Sequence, residues 1–381
     1  MLIRICLICA CSFSFFSTCL FAGGGLIIIS TQRLDGDVSG LSANGSVAAG
    51  SVVTQKYDDD QPFIWNITDG VSMIDLPGSA TYAQAYSISD DGLRIFGEGD
   101  GRYFTWTKAT GTQQTTALSH ITALSDDGLV FVGGERFPTP SDPQQASKSS
   151  GGITTTLGIL PTTDAIRFSV AWGVSADGSV IVGESTSDLT PSSYATEAFI
   201  WTAESGLTGL GLEVDSVAQA ESSAKIVSPA GDIIVGTSSG YSGDIPVWRV
   251  FRWTAETGMV SILSENYTID VNGMSADGSV IVGTGLDYNN GNIIPWIWTE
   301  GIGKQTLFEW LGDAGVDTGT WDAGQIYAVS ADGKTVGGSV TIKSEGSSST
   351  RPFVAWVSDF EPLPEIIFGG RGGSMEDPLI P

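Results

Sequence analysis

A chain of 381 residues with 17 basic and 43 acidic side chains carries a formal charge of −26, and so acidic a surface excludes nucleic acid as a partner. Yet only 16% of residues are charged, 41% are hydrophobic and 50 are glycine, which excludes a disordered acidic chain. One histidine, His120, and cysteines confined to Cys6, Cys9, Cys11 and Cys19 leave few ways to build a zinc or histidine-based site.

Residues 1–22 read as an export signal: Arg4 is the only charge, and an apolar run from Ile5 ends at Ala22-Gly23-Gly24-Gly25. Cleavage there removes every cysteine, so the remaining chain is expected to rely on a large core instead of disulfides. Two alternatives stay open. The run is about 18 residues, the lower limit for an uncleaved spanning anchor. Lipidation at Cys19 is the other, against which the bulky Phe16 argues. No second segment is apolar enough to cross a bilayer as a helix, so the mature chain is expected to lack a membrane span. The expected location is secreted, periplasmic or cell-surface. Leu26-Ile27-Ile28-Ile29-Ser30-Thr31 predicts a first strand.

Self-similarity governs the rest of the chain. Serine, glycine three residues on, and a second glycine five further on recur seven times: Ser42/Gly45/Gly50, Ser89/Gly92/Gly97, Ser125/Gly128/Gly133, Ser175/Gly178/Gly183, Ser228/Gly231/Gly236, Ser275/Gly278/Gly283 and Ser330/Gly333/Gly338. The residue before the first glycine is Asn44, Asp91, Asp127, Asp177, Asp277 or Asp332, and Ala230 in the fifth copy. Asn/Asp-Gly between alternating apolar segments predicts a hairpin, because glycine takes a positive φ without steric cost. The Asp or Asn side chain and the serine hydroxyl are expected to bond backbone N–H groups that the turn leaves unpaired. Val180-Ile181-Val182 is then a return strand, and Gly183 ends it or admits a close neighbour.

An aromatic-x-Trp pair follows: Phe63/Trp65, Phe104/Trp106, Phe199/Trp201, Phe251/Trp253 and Trp296/Trp298, shifted to Phe353/Trp356 in copy seven and missing from copy three. Another turn and a short apolar strand close the unit, as in Gly206-Leu207-Thr208-Gly209-Leu210-Gly211. Four strands in a mean period of 48 residues match the size of a propeller blade. The expected fold is all-β: a seven-bladed propeller over 23–360, each blade of four antiparallel strands. The strand at 26–31 would complete blade seven and close the ring, since an open ring exposes two sheet edges. Residues 361–381, rich in proline and glycine, predict a flexible tail.

The unit Gly-Val-Ser-Ala-Asp-Gly-Ser-Val-Ile-Val-Gly at 173–183, followed by Ala198-Phe199-Ile200-Trp201-Thr202 and Gly206-Leu207-x-x-Leu210-Gly211, resembles the HAF family of bacterial extracellular repeats. The resemblance covers about residues 36–357 and implies an exported bacterial protein with a propeller-like array. It carries no reaction, so it transfers no catalytic residue. Copy three, without its tryptophan, and copy five, with Pro229-Ala230-Gly231, depart from the pattern, and distorted units are expected there.

The repeated Asp-Gly aspartates stand a blade apart and cannot gather the oxygens that calcium wants. Calcium candidates are instead Asp58 and Asp60 in one acidic run, and Asp287 and Asn289 in Asp287-Tyr288-Asn289-Asn290-Gly291-Asn292; the second lacks a closing glutamate, which favours a solvated loop. The repeat tryptophans read as packing residues between sheets. Trp172, Trp248, Trp310 and Trp321 lie outside that position. The connections 51–62, 134–151, 184–197, 237–249, 284–295 and 339–352 are read as variable loops on one face of the ring. There Tyr57, Tyr241, Trp248 and Tyr288 form a candidate ligand rim. His120 reads as a packed or surface residue on a strand, and no triad, P-loop or dinucleotide motif accompanies it. The expected function is a monomeric, exported, non-catalytic binding module for a glycan or protein. A secreted glycan hydrolase using two loop carboxylates and a structural envelope protein are the alternatives.

Overall fold

Alternating residues on either side of each turn form paired strands, and the computed structural model of the chain arranges them as seven antiparallel sheets. It describes residues 18–21, 24–29, 35–53, 60–75, 80, 82–115, 118–135, 144–163, 167–189, 195–213, 220–242, 245–288, 291–316, 322–344 and 347–357. Six sheets hold four consecutive strands each. In blade four, for example, Ser169–Val174, Val180–Ser185, Glu197–Thr202 and Gly206–Gly211 pair in chain order. The first strands of successive blades approach one another around a central channel, so the fold is a seven-bladed β-propeller.

The turn between first and second strands is the same device seven times. Each serine carbonyl accepts from the turn glycine N–H at 2.8–2.9 Å, and each serine N–H donates to the carbonyl five residues on at 2.8–2.9 Å. The N–H of that fifth residue donates back to the serine Oγ at 2.9–3.0 Å. In blade four the Ser175 hydroxyl donates to Asp177 Oδ1 at 2.8 Å, and the same oxygen accepts from Ser179 N–H at 2.9 Å. Copy five is not distorted despite Ala230: its Ser228 hydroxyl donates to Asp232 Oδ1 at 2.7 Å, so a carboxylate two positions later does the same work.

The second repeat glycine lies directly across from the strand-three aromatic, as in the pair Gly183↔Phe199. A Cβ on Gly183 would stand 2.0 Å from the Val170 carbonyl oxygen and 2.8 Å from the Phe199 ring, so the glycine admits a close neighbour and does not end the strand. The aromatic then packs toward the preceding blade. Phe199 and Trp201 join Val132, Ala146 and Leu157 of blade three, while Ile200 on the other side joins Phe251 and Trp253 of blade five. The core is accordingly divided into seven clusters, one at each blade junction. A buried phenylalanine contributes roughly 1.5–3 kcal/mol, so this ring of apolar seams holds the blades together.

The ring closes as the sequence predicts. Gly24–Ile28 pairs antiparallel with Ser347–Trp356 as the fourth strand of blade seven, with Ile28 opposite Phe353. Thr18–Phe21, inside the segment read as an export signal, adds a fifth strand at the edge. Helix α1, Leu307–Asp313, between blades six and seven, also escaped the sequence reading. Thr306 caps it and Glu309 completes a capping box; Leu307, Trp310 and Leu311 enter the last seam. Three connections read as loops are mostly strand. The pairs Ile233–Ser242 with Ile245–Thr254, Val280–Asp287 with Asn292–Thr299, and Thr335–Ser344 with Ser347–Trp356 run on as long hairpins. Their serines and threonines are polar enough to read as loop, yet they keep a ladder going where one face meets water.

Candidate functional site

Each inner strand carries a bulge three residues before the repeat serine. The register skips at Ser39, Tyr86, Thr122, Trp172, Lys225, Asn272 and Tyr327 in the seven blades. A bulge re-aims the side chain of its extra residue. Where that residue is small and polar it ties its blade to the next. Ser39 Oγ donates to the Ala85 carbonyl at 2.6 Å, Thr122 Oγ1 to Ala171 at 2.7 Å, and Asn272 Nδ2 to Ile326 at 2.7 Å. In the other four blades it is large: Tyr86, Trp172, Lys225 and Tyr327. Among the described residues none of these four bonds the next blade's backbone: Tyr86 donates to Glu98 Oε2 at 2.7 Å, while Lys225 and Tyr327 line cavities, and a column-by-column alignment of the repeats would have exposed them.

On the face opposite the Asp-Gly turns, a cavity of about 330 Å³ opens at the channel mouth over blades four to six. Glu184, Glu221, Lys225, Ser239, Trp248 and Asp270 are among the residues that line it. The Lys225 ammonium sits 4.6 Å from the Trp172 ring centre, a cation–π contact that fixes both bulged side chains. Trp172 Nε1 is buried without a hydrogen-bond partner. Ser239 Oγ donates to Glu221 Oε1 at 2.9 Å, which orients that carboxylate. The site therefore offers two aromatic side chains, Trp248 and Phe168, with several hydroxyls and three carboxylates around a single ammonium.

A second cavity of about 300 Å³ lies on the same face at blades seven and one, lined by Asp35, Asp37, Gln325, Tyr327, Thr341 and Thr350 among others. Burial, then the nearby Asp60 carboxylate, pushes the Asp37 carboxyl up to about 6. Tyr327 donates to Gln325 Oε1, and burial followed by Asp37 pushes its hydroxyl up to about 12. Asp37 can thus hold a proton in mildly acidic solution, where an ordinary carboxyl is ionised.

Of the residues singled out from the sequence, Trp248 lines the first cavity, half-buried on the third strand of blade five. Tyr241, opposite Pro246, sits further out on the same hairpin, and Tyr288 is 70% exposed at the tip of blade six. Asp60 accepts from Gln84 Nε2 at 2.5 Å, and Asp287 ends its strand opposite Asn292. Tyr57, Asp58 and Asn289 lie outside the described residues, as do Trp321 and the tail. Trp310 belongs to the core, and His120 is exposed at the start of the blade-three inner strand. No group of three or more His, Cys, Asp or Glu is placed to hold a metal among the described residues. No helix among them is long and apolar enough to cross a membrane.

No protein-family model and no curated protein matches the chain by sequence. Solved structures do match by shape. The oligogalacturonate lyase of Vibrio parahaemolyticus superposes with a TM-score of 0.58 at 13% identity, over 91% of this chain and 98% of that one. The β-propeller domain of the Trilobed protease from Pyrococcus furiosus, described as having an open velcro topology, gives 0.53 at 14% identity, over 89% and 99%. A prolyl endopeptidase gives 0.55 at 12% identity, covering 87% of this chain and 51% of that one. At such identities the likeness is one of fold alone.

Proposed function

We propose that the protein is an exported propeller of HAF-type repeats that binds an extracellular saccharide at its channel mouth without transforming it. The observation that carries this reading is the cavity over blades four to six. Its indole, hydroxyls and oriented carboxylates are the groups that take a sugar ring: an apolar face for the C–H side and acceptors for the hydroxyls. Glu184, Glu221 and Asp270 outnumber Lys225, so a neutral or amine-bearing saccharide suits the site and a uronate does not. The oligogalacturonate lyase likeness therefore extends to fold and not to substrate.

Titration of the purified full chain against neutral, amino- and uronate oligosaccharides tests the reading. Binding of the first two classes is expected, weakened about tenfold in Trp248→Ala, a loss of about 1.4 kcal/mol. Binding confined to oligogalacturonate would end it. One observation favours a second reading, glycan hydrolysis: Asp37, whose carboxyl is raised to about 6 near Asp60, has the form of a general acid for mildly acidic conditions with a carboxylate partner. Products released from a polysaccharide and abolished in Asp37→Asn would decide for hydrolysis. Export is tested by fractionating cells that express the chain with and without residues 1–22, with loss of the extracytoplasmic pool expected in the second.

A further inference from the structure

On the turn face most blade junctions share a plan, and the junction of blades two and three departs from it furthest. In the plan, the residue after the repeat serine is small and uncharged: Ala43, Ala176, Pro229, Ala276 or Ala331. Backbone bonds link four of these turns to the next, Ala176 N–H to Pro229 O at 3.1 Å, Ala276 to Ala331 at 2.9 Å, Ala331 to Ala43 at 2.8 Å and Ala43 to Asp90 at 2.9 Å. An aliphatic side chain or Thr335, five residues after the serine, packs against the turn glycine of the next blade, as Val130 does at Gly178. An aromatic from strand three of the following blade fills the seam below, as Phe199 does between blades three and four.

Between blades two and three all of this changes at once. Copies two and three alone read Ser-Asp-Asp-Gly-Leu, at 89–93 and 125–129. Asp90 and Asp126 stand where the small residues do, so that here alone two acidic residues occupy that position in consecutive turns. Arg94 replaces the aliphatic residue at Gly128. Ser147 and Ser149 replace the aromatic pair. A cleft of about 600 Å³ opens there, lined by Asp91, Leu93, Arg94, Lys108, Ala109 and Asp127 among others. Leu93 is 48% exposed and Leu129, at the same position of the next turn, 61%.

These departures are unfavourable in the free protein. Two leucines face water where other copies carry polar residues, and the half-buried Asp126 carboxyl faces the like charge of Asp90. Neither Arg94 nor Lys108 forms an ion pair with these carboxylates among the described residues. A cation between two carboxylates and apolar cover for two leucines would relieve both faults together.

We propose that this cleft docks a protein segment in which a lysine or arginine sits among apolar residues, its cation entering between Asp90 and Asp126 and its apolar neighbours covering Leu93 and Leu129. The charge is complementary, and Arg94 and Lys108 on the flank restrict the cleft to one cation instead of a basic run. The site is independent of the saccharide cavity on the opposite face. The charged groups that face the pair are Asp91 and Asp127 of the two turns, Arg94 of the second strand and Lys108 of the outer turn of blade two. Burial, then Asp90, pushes the Asp126 carboxyl up to about 7, so an entering cation displaces a proton and binding tightens as pH rises.

The test uses the full chain and three labelled peptides, Ser-Leu-Val-Lys-Leu-Ser and its Gln and Glu counterparts at the lysine, with binding read by fluorescence polarisation. The lysine peptide is expected to bind at least tenfold tighter than the other two, and at least threefold tighter at pH 8 than at pH 6. The variant Asp90→Ala/Leu93→Ser/Asp126→Ala/Leu129→Ser restores the turn of the other blades, so it is expected to fold and to lose that preference. Asp90→Asn/Asp126→Asn, which alters charge alone, provides the same comparison should the fourfold variant misfold. Equal binding of all three peptides, or unchanged binding in both variants, would overturn the proposal. So would no binding at all, or self-association of the unaltered chain that the fourfold variant abolishes, which would make a second copy the occupant.

Discussion

The serine of each turn has a burial that its polarity alone would not suggest. Ser275 is fully buried because its hydroxyl bonds both Val280 N–H and the Asp277 carboxylate, leaving no group of the turn without a partner. Ser275→Ala strands a buried N–H and is expected to destabilise the fold by about 1–3 kcal/mol in urea titrations. The turn aspartates respond to acid. Bonds from the Ser179 hydroxyl and N–H, then from Ser175, hold the Asp177 carboxyl at about 2, and Asp277 is lowered by the N–H and hydroxyl of Ser279. A depressed carboxylate stabilises the fold above its ordinary value and loses that contribution as pH falls through its folded value, here from about 4 toward 2. Asp37 and Asp126 do the reverse. Their raised values, about 6 and about 7, mean the folded chain holds protons that the unfolded chain has released, so stability falls as pH rises from about 4 to 7. Urea midpoints are therefore expected to peak near pH 4, and Asp37→Asn/Asp126→Asn is expected to flatten the decline above it.

At the scale of the element, the closing strand decides whether seven blades make a ring. Gly25 lies across from Trp356, and a Cβ there would stand 2.4 Å from the indole. Gly25→Ala is expected to lower the melting temperature, with a loss of about 1–3 kcal/mol from overpacking. A chain beginning at residue 24 keeps the fourth strand of blade seven, so calorimetry should find one cooperative transition. A chain beginning at residue 30 leaves the edge of Ser347–Trp356 unpaired and is expected to melt broadly and aggregate. Helix α1 serves the same seam, since Leu307 and Leu311 pack with Leu26 of the closing strand.

For the whole molecule, a charge of −26 on a compact ring opposes folding by self-repulsion. Salt screens that repulsion, since the Debye length falls from about 30 Å at 0.01 M to about 10 Å at 0.1 M. Raising sodium chloride across that range should lift the melting temperature, whereas a fold dependent on surface ion pairs would lose stability. The two faces of the ring divide the labour. One repeats the same hairpin chemistry in all seven blades and differs most in the residues that flank it at the junction of blades two and three, and the other collects the bulged side chains and long hairpins.

Blade number, strand order and ring closure were legible in the chain because they rest on local rules repeated seven times: an Asp-Gly turn, a serine that satisfies it, and alternating residues on either side. Helix α1 was legible too, in Thr306-x-x-Glu309, but a dominant β-pattern hid it. The long hairpins were misread because a strand with one face in water can be as polar as a loop. What a linear reading could not supply was proximity. Trp172 and Lys225 lie in different blades, 53 positions apart, and meet only because two bulges turn them into one channel. Asp90 and Asp126 likewise come together only because consecutive turns are neighbours on a closed ring. Local hydrogen bonding wrote the blade; which side chains share a cavity followed from closure and from the one-residue bulges, whose effect on direction leaves no trace in composition.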